Sequence, residues 1–167
     1  ESAAGAWPVE AVETMNRIAM EVERDPVHRT ILNAQRARPE ATGADAIAVA
    51  AREVAETLDM KAVVAWTFSG STAFRIARER PRPTVLALTP NRTTACRLTL
   101  VWGVHPIVTK DADDVDDMVK RACKFAARSG FARTGERVVI VAGVPFGTPG
   151  ATNMMRLAYV GADSERG

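Results

Sequence analysis

Lys61-Ala62-Val63-Val64-Ala65-Trp66 runs straight into Thr67-Phe68-Ser69-Gly70-Ser71-Thr72, and the architecture of the chain can be read outward from that junction. The first stretch is continuously apolar and partly β-branched, the mark of a strand buried on both faces. The second is crowded with small hydroxyl residues around a glycine that allows a tight turn, and it opens a helix predicted over Ser71–Glu79, stopped by Pro81 and Pro83. Downstream the same rhythm recurs. Thr84–Leu88 predicts a strand, Asn91–Trp102 a helix capped by Gly103, and Val104–Val108 a third strand. A long helix over Ala112–Ser129 ends at Gly130, Arg137–Ala142 reads as another buried strand, and Met154–Val160 as a last strand of alternating character. Strands and helices alternating in this way predict an α/β sandwich around a largely parallel sheet with right-handed crossovers.

Upstream of the junction, Pro8 suits an early helix position, and Val9, Val12, Met15, Ile18, Ala19 and Val22 follow at helical spacing until Asp25-Pro26. Val27–Gly43 is polar and basic, with Arg29, Arg36, Arg38 and Pro39, and reads as a connection with room for a short helix. An alanine-rich helix is predicted over Asp45–Leu58, with Ile47, Val54 and Leu58 on one side.

The 167 residues (18.0 kDa) are 47% hydrophobic, 5% aromatic and 25% charged, with a mean hydropathy of -0.07. That is enough chain and apolar content for one well-filled core without a disulfide or metal staple. The 22 Lys+Arg and 20 Asp+Glu are interspersed, for a net charge of +2 and a pI near 8.8, so nucleic acid is not an expected partner. No apolar run approaches the roughly 18–20 residues that cross a bilayer, and residues 1–25 lack the regions of a signal peptide, so the reading is a cytoplasmic protein with no membrane partner. Glu1 stands in place of an initiator Met within a segment that already looks structured, which reads as a piece of a longer chain.

Nucleophilic and metal chemistry are thinly supplied. Cys96 and Cys123 fall in helical patterns and read as buried or half-buried free thiols. His28 and His105 have no Cys-x-x-Cys, His-Glu-x-x-His or Gly-x-Ser-x-Gly beside them and read as structural. Asp113, Asp114, Asp116 and Asp117 precede Lys120, Arg121, Lys124 and Arg128, an order that suits the helix dipole better than a metal cluster. Trp7, Trp66 and Trp102 read as core or interface residues.

Two segments lie where parallel sheets bind ligands, beyond the carboxyl ends of strands. Thr67–Thr72 offers hydroxyls, a glycine and the free N–H groups of a helix start, the requirements for holding a phosphate; an ordinary cap by Ser69 or Ser71 is the plainer alternative. It is neither a Walker A loop nor G-x-G-x-x-G. Gly143–Asn153, with three glycines and two prolines, is longer than a simple hairpin and would cover the sheet mouth beside the first loop.

At these residues the chain resembles the C-terminal domain of pyruvate kinase. Thr67–Ala73, Arg80-Pro81, Ala87-Leu88-Thr89-Pro90-Asn91, Leu100-Val101-Trp102-Gly103-Val104 and Gly143–Met154 are similar to successive signature segments of that domain, and Glu1-Ser2-Ala3 with Trp7–Val12 resembles the end of the catalytic barrel. The resemblance implies a three-layer sandwich whose five-stranded, mostly parallel sheet has an antiparallel last strand. It implies residues 1–25 as the last barrel loop and helix, 26–42 as a connection, 43–162 as the α/β domain and 163–167 as a tail. The full enzyme passes a phosphoryl group from phosphoenolpyruvate to ADP in glycolysis, giving pyruvate and ATP with Mg²⁺ and K⁺. Its catalytic residues precede Glu1, so this chain is expected to hold no cofactor and to be inert alone. Implied partners are its own barrel domain, further copies in a homotetramer, and a sugar-phosphate or nucleoside-monophosphate effector.

By the same resemblance, effector phosphate would sit at Thr67, Ser69, Gly70, Ser71 and Thr72, beside an effector loop of Pro145, Phe146, Gly147, Thr148, Pro149 and Gly150. Members that bind fructose 1,6-bisphosphate often carry Lys or Arg in the first loop, where Phe68 and Ser71 stand here. Each missing charge-assisted contact removes on the order of 1.5–3 kcal/mol, so a monophosphate effector, or none, is expected in place of a bisphosphate. Two rivals are a free-standing phosphate-binding α/β protein of this fold and a small enzyme using the Ser69 or Ser71 hydroxyl.

Overall fold

Pro8 and Pro26 each open a helix, because the first turn needs no N–H there and the proline ring presets its φ. The computed structural model describes residues 2–36, 38–146 and 151–161, so the expected tail 163–167 lies outside the described residues. The chain forms two compact units, 1–38 and 39–167. In the first, α1 spans Pro8–Arg24 and α2 Pro26–Ala34. The expected connection thus contains a nine-residue helix, because Asp25 accepts the Val27 N–H at 2.7 Å and caps the start that Pro26 provides. Neither helix buries a residue.

The second unit runs α3 (Gly43–Thr57), β1 (Ala62–Trp66), α4 (Ser71–Arg78), β2 (Thr84–Thr89), α5 (Arg92–Leu98), β3 (Val104–Val108), α6 (Val115–Arg128), β4 (Arg137–Gly143) and β5 (Thr152–Tyr159). Its five strands lie in the order β3-β2-β1-β4-β5, parallel except for β5, which is antiparallel to β4. Successive side chains of a strand point to opposite faces, and both faces are apolar. Val64, Trp66, Leu86, Leu88 and Ile140 meet Met118, Ala122 and Ala126 of α6. Val63, Ala65, Val85, Val139 and Val141 meet α3, α4 and α5 through Ala48, Ala51, Ile76 and Leu98. Crossovers of one hand explain the layering. The chain steps from β1 to β3 in one direction and returns to β4 in the other, which puts α6 on the opposite face from α4 and α5.

Some boundaries differ from expectation. α5 stops at Leu98, short of Trp102, as the Thr99 hydroxyl donates to the Cys96 carbonyl at 2.7 Å and a turn follows, with Gly103 at φ +69° leading into β3. The last strand starts at Thr152, which pairs with Gly143, and ends at Tyr159. Asp114 caps α6 by accepting the Asp117 N–H at 2.7 Å, and among the described residues no group of three or more His, Cys, Asp or Glu converges to hold a metal. No helix among them is long and apolar enough to cross a membrane.

Candidate functional site

The strand order reverses between β1 and β4, so the chain segments leaving their carboxyl ends diverge and leave a crevice, the usual ligand position of an open α/β sheet. Both loops singled out in the sequence leave from there. In the first, the Thr67 hydroxyl, buried at the end of β1, accepts the Gly70 N–H at 2.9 Å and closes the turn. Gly70 holds φ +91°, and a Cβ there would lie 3.2 Å from Thr94 Cγ2 and 3.3 Å from Phe74, which is why glycine serves. The Phe68 carbonyl accepts the Thr94 hydroxyl at 3.1 Å and the Thr89 hydroxyl at 3.4 Å, tying the turn to the neighbouring strand and helix.

Gly70 is the N-cap of α4 and has no side chain to cap with, but Ser69 Oγ accepts the Ser71 N–H at 3.5 Å, a local contact of the kind the plainer capping reading expects. Ser69 Oγ donates to Ser71 Oγ at 3.2 Å on the exposed side of the turn. The first intrahelical bond runs from the Phe74 N–H to the Gly70 carbonyl at 2.9 Å, so the amides of Ser71, Thr72 and Ala73 precede the ladder and project from the helix start with its partial positive charge. Hydroxyls beside a positive helix end can bind a small anion without a cationic side chain.

In the second segment, Val144, Pro145 and Phe146 are described and Gly147, Thr148, Pro149 and Gly150 lie outside the described residues. The Asn153 side chain braces the segment from both sides, accepting the Val144 N–H at 2.9 Å and donating to the Val144 carbonyl at 2.6 Å. Pro145 is exposed, while Phe146 packs on the α6 side of the core. Across the crevice Thr72 Oγ1 and Thr152 Oγ1 are 2.7 Å apart, both side chains being about 5% exposed. Thr152 lies inside the second segment, and only the fold brings it to Thr72, 80 positions away.

Behind the turn, an ionic cluster holds α4 against α3. Asp45, 1% exposed, accepts the Glu40 N–H at 2.8 Å, Arg75 Nε at 3.1 Å and Arg78 Nη2 at 2.5 Å. The Arg78 hydrogen bond, then the Glu40 amide, hold its carboxyl below the usual aspartate range. Glu79, also 1% exposed, is shifted the other way, because burial disfavours its charge more than nearby Arg78 favours it. This cluster was not legible in the sequence, because Asp45 and Arg75 stand on different helices 30 positions apart.

The remaining candidates fall where side-chain chemistry predicts, with exceptions. Cys123 is buried but Cys96 is exposed, because α5 turns that position outward. His105 stacks edge-on against Phe131 with centroids 5.1 Å apart. Trp66 is core and donates to Asp111 at 2.8 Å, and Trp102 lies under the Arg80 guanidinium at 4.4 Å. Trp7 is exposed.

A family profile described as "Pyruvate kinase, alpha/beta domain" matches residues 45–158. A pyruvate kinase of Methylorubrum extorquens is 64% identical over 160 residues, 96% of this chain and 34% of that protein. Pyruvate kinases of Agrobacterium vitis (42% over 161 residues, 96% and 34%) and Geobacillus stearothermophilus (41% over 160 residues, 96% and 27%) are also similar. The chain spans about a third of the length of these curated relatives.

Proposed function

This chain belongs to the pyruvate kinase family, and from that premise we propose that it serves as the regulatory and assembly domain of a pyruvate kinase, with an anion site for a monophosphate effector at Thr67–Thr72. The observation that carries the reading is the turn from β1 into α4 at the strand-order reversal, with the Ser69 and Ser71 hydroxyls beside first-turn amides that precede the helical ladder. Phosphoryl transfer from phosphoenolpyruvate to ADP, with Mg²⁺ and K⁺, belongs in this reading to the full-length protein. Among the described residues no three or more His, Cys, Asp or Glu converge, and no step is routed through a metal here. A catalytic barrel is the partner that suits the apolar stripe of α1, and further copies of the chain complete a homotetramer. A reducing cytoplasm suits the free thiols of Cys96 and Cys123.

Calorimetric titration with glucose 6-phosphate, AMP and fructose 1,6-bisphosphate tests the anion site. Saturable binding of a monophosphate is expected, weakened about two- to tenfold in Ser71→Ala, as suits the loss of one hydroxyl contact. Silence from all three ligands overturns the effector reading and leaves assembly as the domain's role.

A further inference from the structure

The Thr72–Thr152 contact has a direction that the ligand imposes. Each threonine hydroxyl has a single hydrogen to donate, and a phosphate oxygen only accepts. A Thr72 hydroxyl that donates to a bound phosphate can keep its 2.7 Å contact with Thr152 only by accepting the hydrogen of Thr152. The Phe68 carbonyl, four residues before Thr72, is already engaged by the Thr94 hydroxyl at 3.1 Å and the Thr89 hydroxyl at 3.4 Å. Resting on the anion site proposed above, we infer that Thr152 is a positioning residue for phosphate: it donates to Thr72 Oγ1 and so holds the Thr72 hydrogen available to the ligand at the start of α4.

The fold is built to deliver Thr152 there. β5 is antiparallel to β4, so its first residue returns to the carboxyl end of the sheet, opposite Gly143. A Cβ on Gly143 would collide with the Ala151 carbonyl oxygen and lie 2.8 Å from its carbon, so only glycine lets residues 151 and 152 cross so close over the end of β4. The ladder shifts register between Ala142 and Gly143, which re-aims the strand at that point.

The experiment is a titration of glucose 6-phosphate and AMP into the wild type and the Thr152→Val, Thr152→Ser, Thr72→Val and Thr72→Val/Thr152→Val variants, with thermal unfolding of each. Valine keeps the shape and removes the hydrogen-bonding oxygen, and serine keeps the oxygen. Thr152→Val is expected to weaken the monophosphate about three- to tenfold. Thr152→Ser should bind within about twofold of wild type, and the double variant no more weakly than Thr72→Val alone. Wild-type affinity in a folded Thr152→Val, or losses that simply add, overturns the role of Thr152 while leaving the anion site standing. Absence of wild-type binding overturns both. If Thr152→Val unfolds, the serine variant decides: retained affinity supports the inference and a loss as large as that of Thr72→Val refutes it.

Discussion

α1 and α6 are written in the same amphipathic pattern and end in different circumstances. α6 turns Met118, Val119, Ala122, Cys123 and Ala126 into the core, all buried against the sheet. α1 carries Val9, Val12, Met15, Ile18 and Val22 at the same kind of spacing, and none is buried; Val12 is 52% and Ile18 60% exposed. Periodicity therefore specifies a helix and the face that needs covering, but burial depends on what packs there. α6 is stabilised by its contacts, whereas the stripe of α1 is an unmet demand for a partner.

The largest expected effect comes from exchanging equivalent truncations between these helices. Met118→Ala, at a site with no exposure, should cost about 2–5 kcal/mol in denaturant unfolding, while Ile18→Ala should stay within about 0.5 kcal/mol. Equal losses would mean that the α1 stripe is covered in solution, and the comparison would fail.

A smaller effect is expected where burial acts on charge and not on apolar surface. Asp45→Asn should cost about 2 kcal/mol at neutral pH, less than the 3–5 kcal/mol of a fully buried pair, because its partners Arg75 and Arg78 are 30% and 36% exposed. The Asp45 carboxyl is held below its ordinary value, so its contribution is complete above the unfolded aspartate pKa of about 3.9 and is lost as pH falls through the lower folded value. Wild type and Asp45→Asn should accordingly converge in stability on acidification. A constant gap down to about pH 2 would show that this ion pair is not the origin of the difference.

Least of all should Glu79→Gln matter, within about 1 kcal/mol at pH 7. Burial raises the folded pKa of Glu79, so its charge opposes folding above that value and the opposition fades as pH falls toward the ordinary glutamate range. Wild type should gain on the glutamine variant between pH 7 and about pH 4.5, and parallel curves would refute that sign.

Much of the sheet was legible because its strands are short, continuously apolar and punctuated by Gly and Pro; Val63, Val85 and Val139 advertise burial by type alone. The end of α5 was not, since a single hydroxyl, that of Thr99, competes for the backbone in a way no period records. In the site, the Ser69–Thr72 hydroxyls stood out by composition. The Asp45 cluster and the Thr72–Thr152 contact did not, because their partners lie 30 and 80 positions apart.

The alternation of strands and helices, the helix starts at Pro8 and Pro26, and the hydroxyl-rich turn are written locally in the chain. Those depend on local φ preferences, missing N–H groups and the 2.0 and 3.6 residue periods of side-chain direction. Packing of the elements settled that β4 lies beside β1, so that two distant loops share one crevice, and that Glu79 is buried and Asp45 ionically latched. It also decided that α6 is covered along its apolar face and that α1 is not. The reason is physical: strand order, burial and the partner of a hydrogen bond are properties of pairs of segments, and they come into being when the pairs meet.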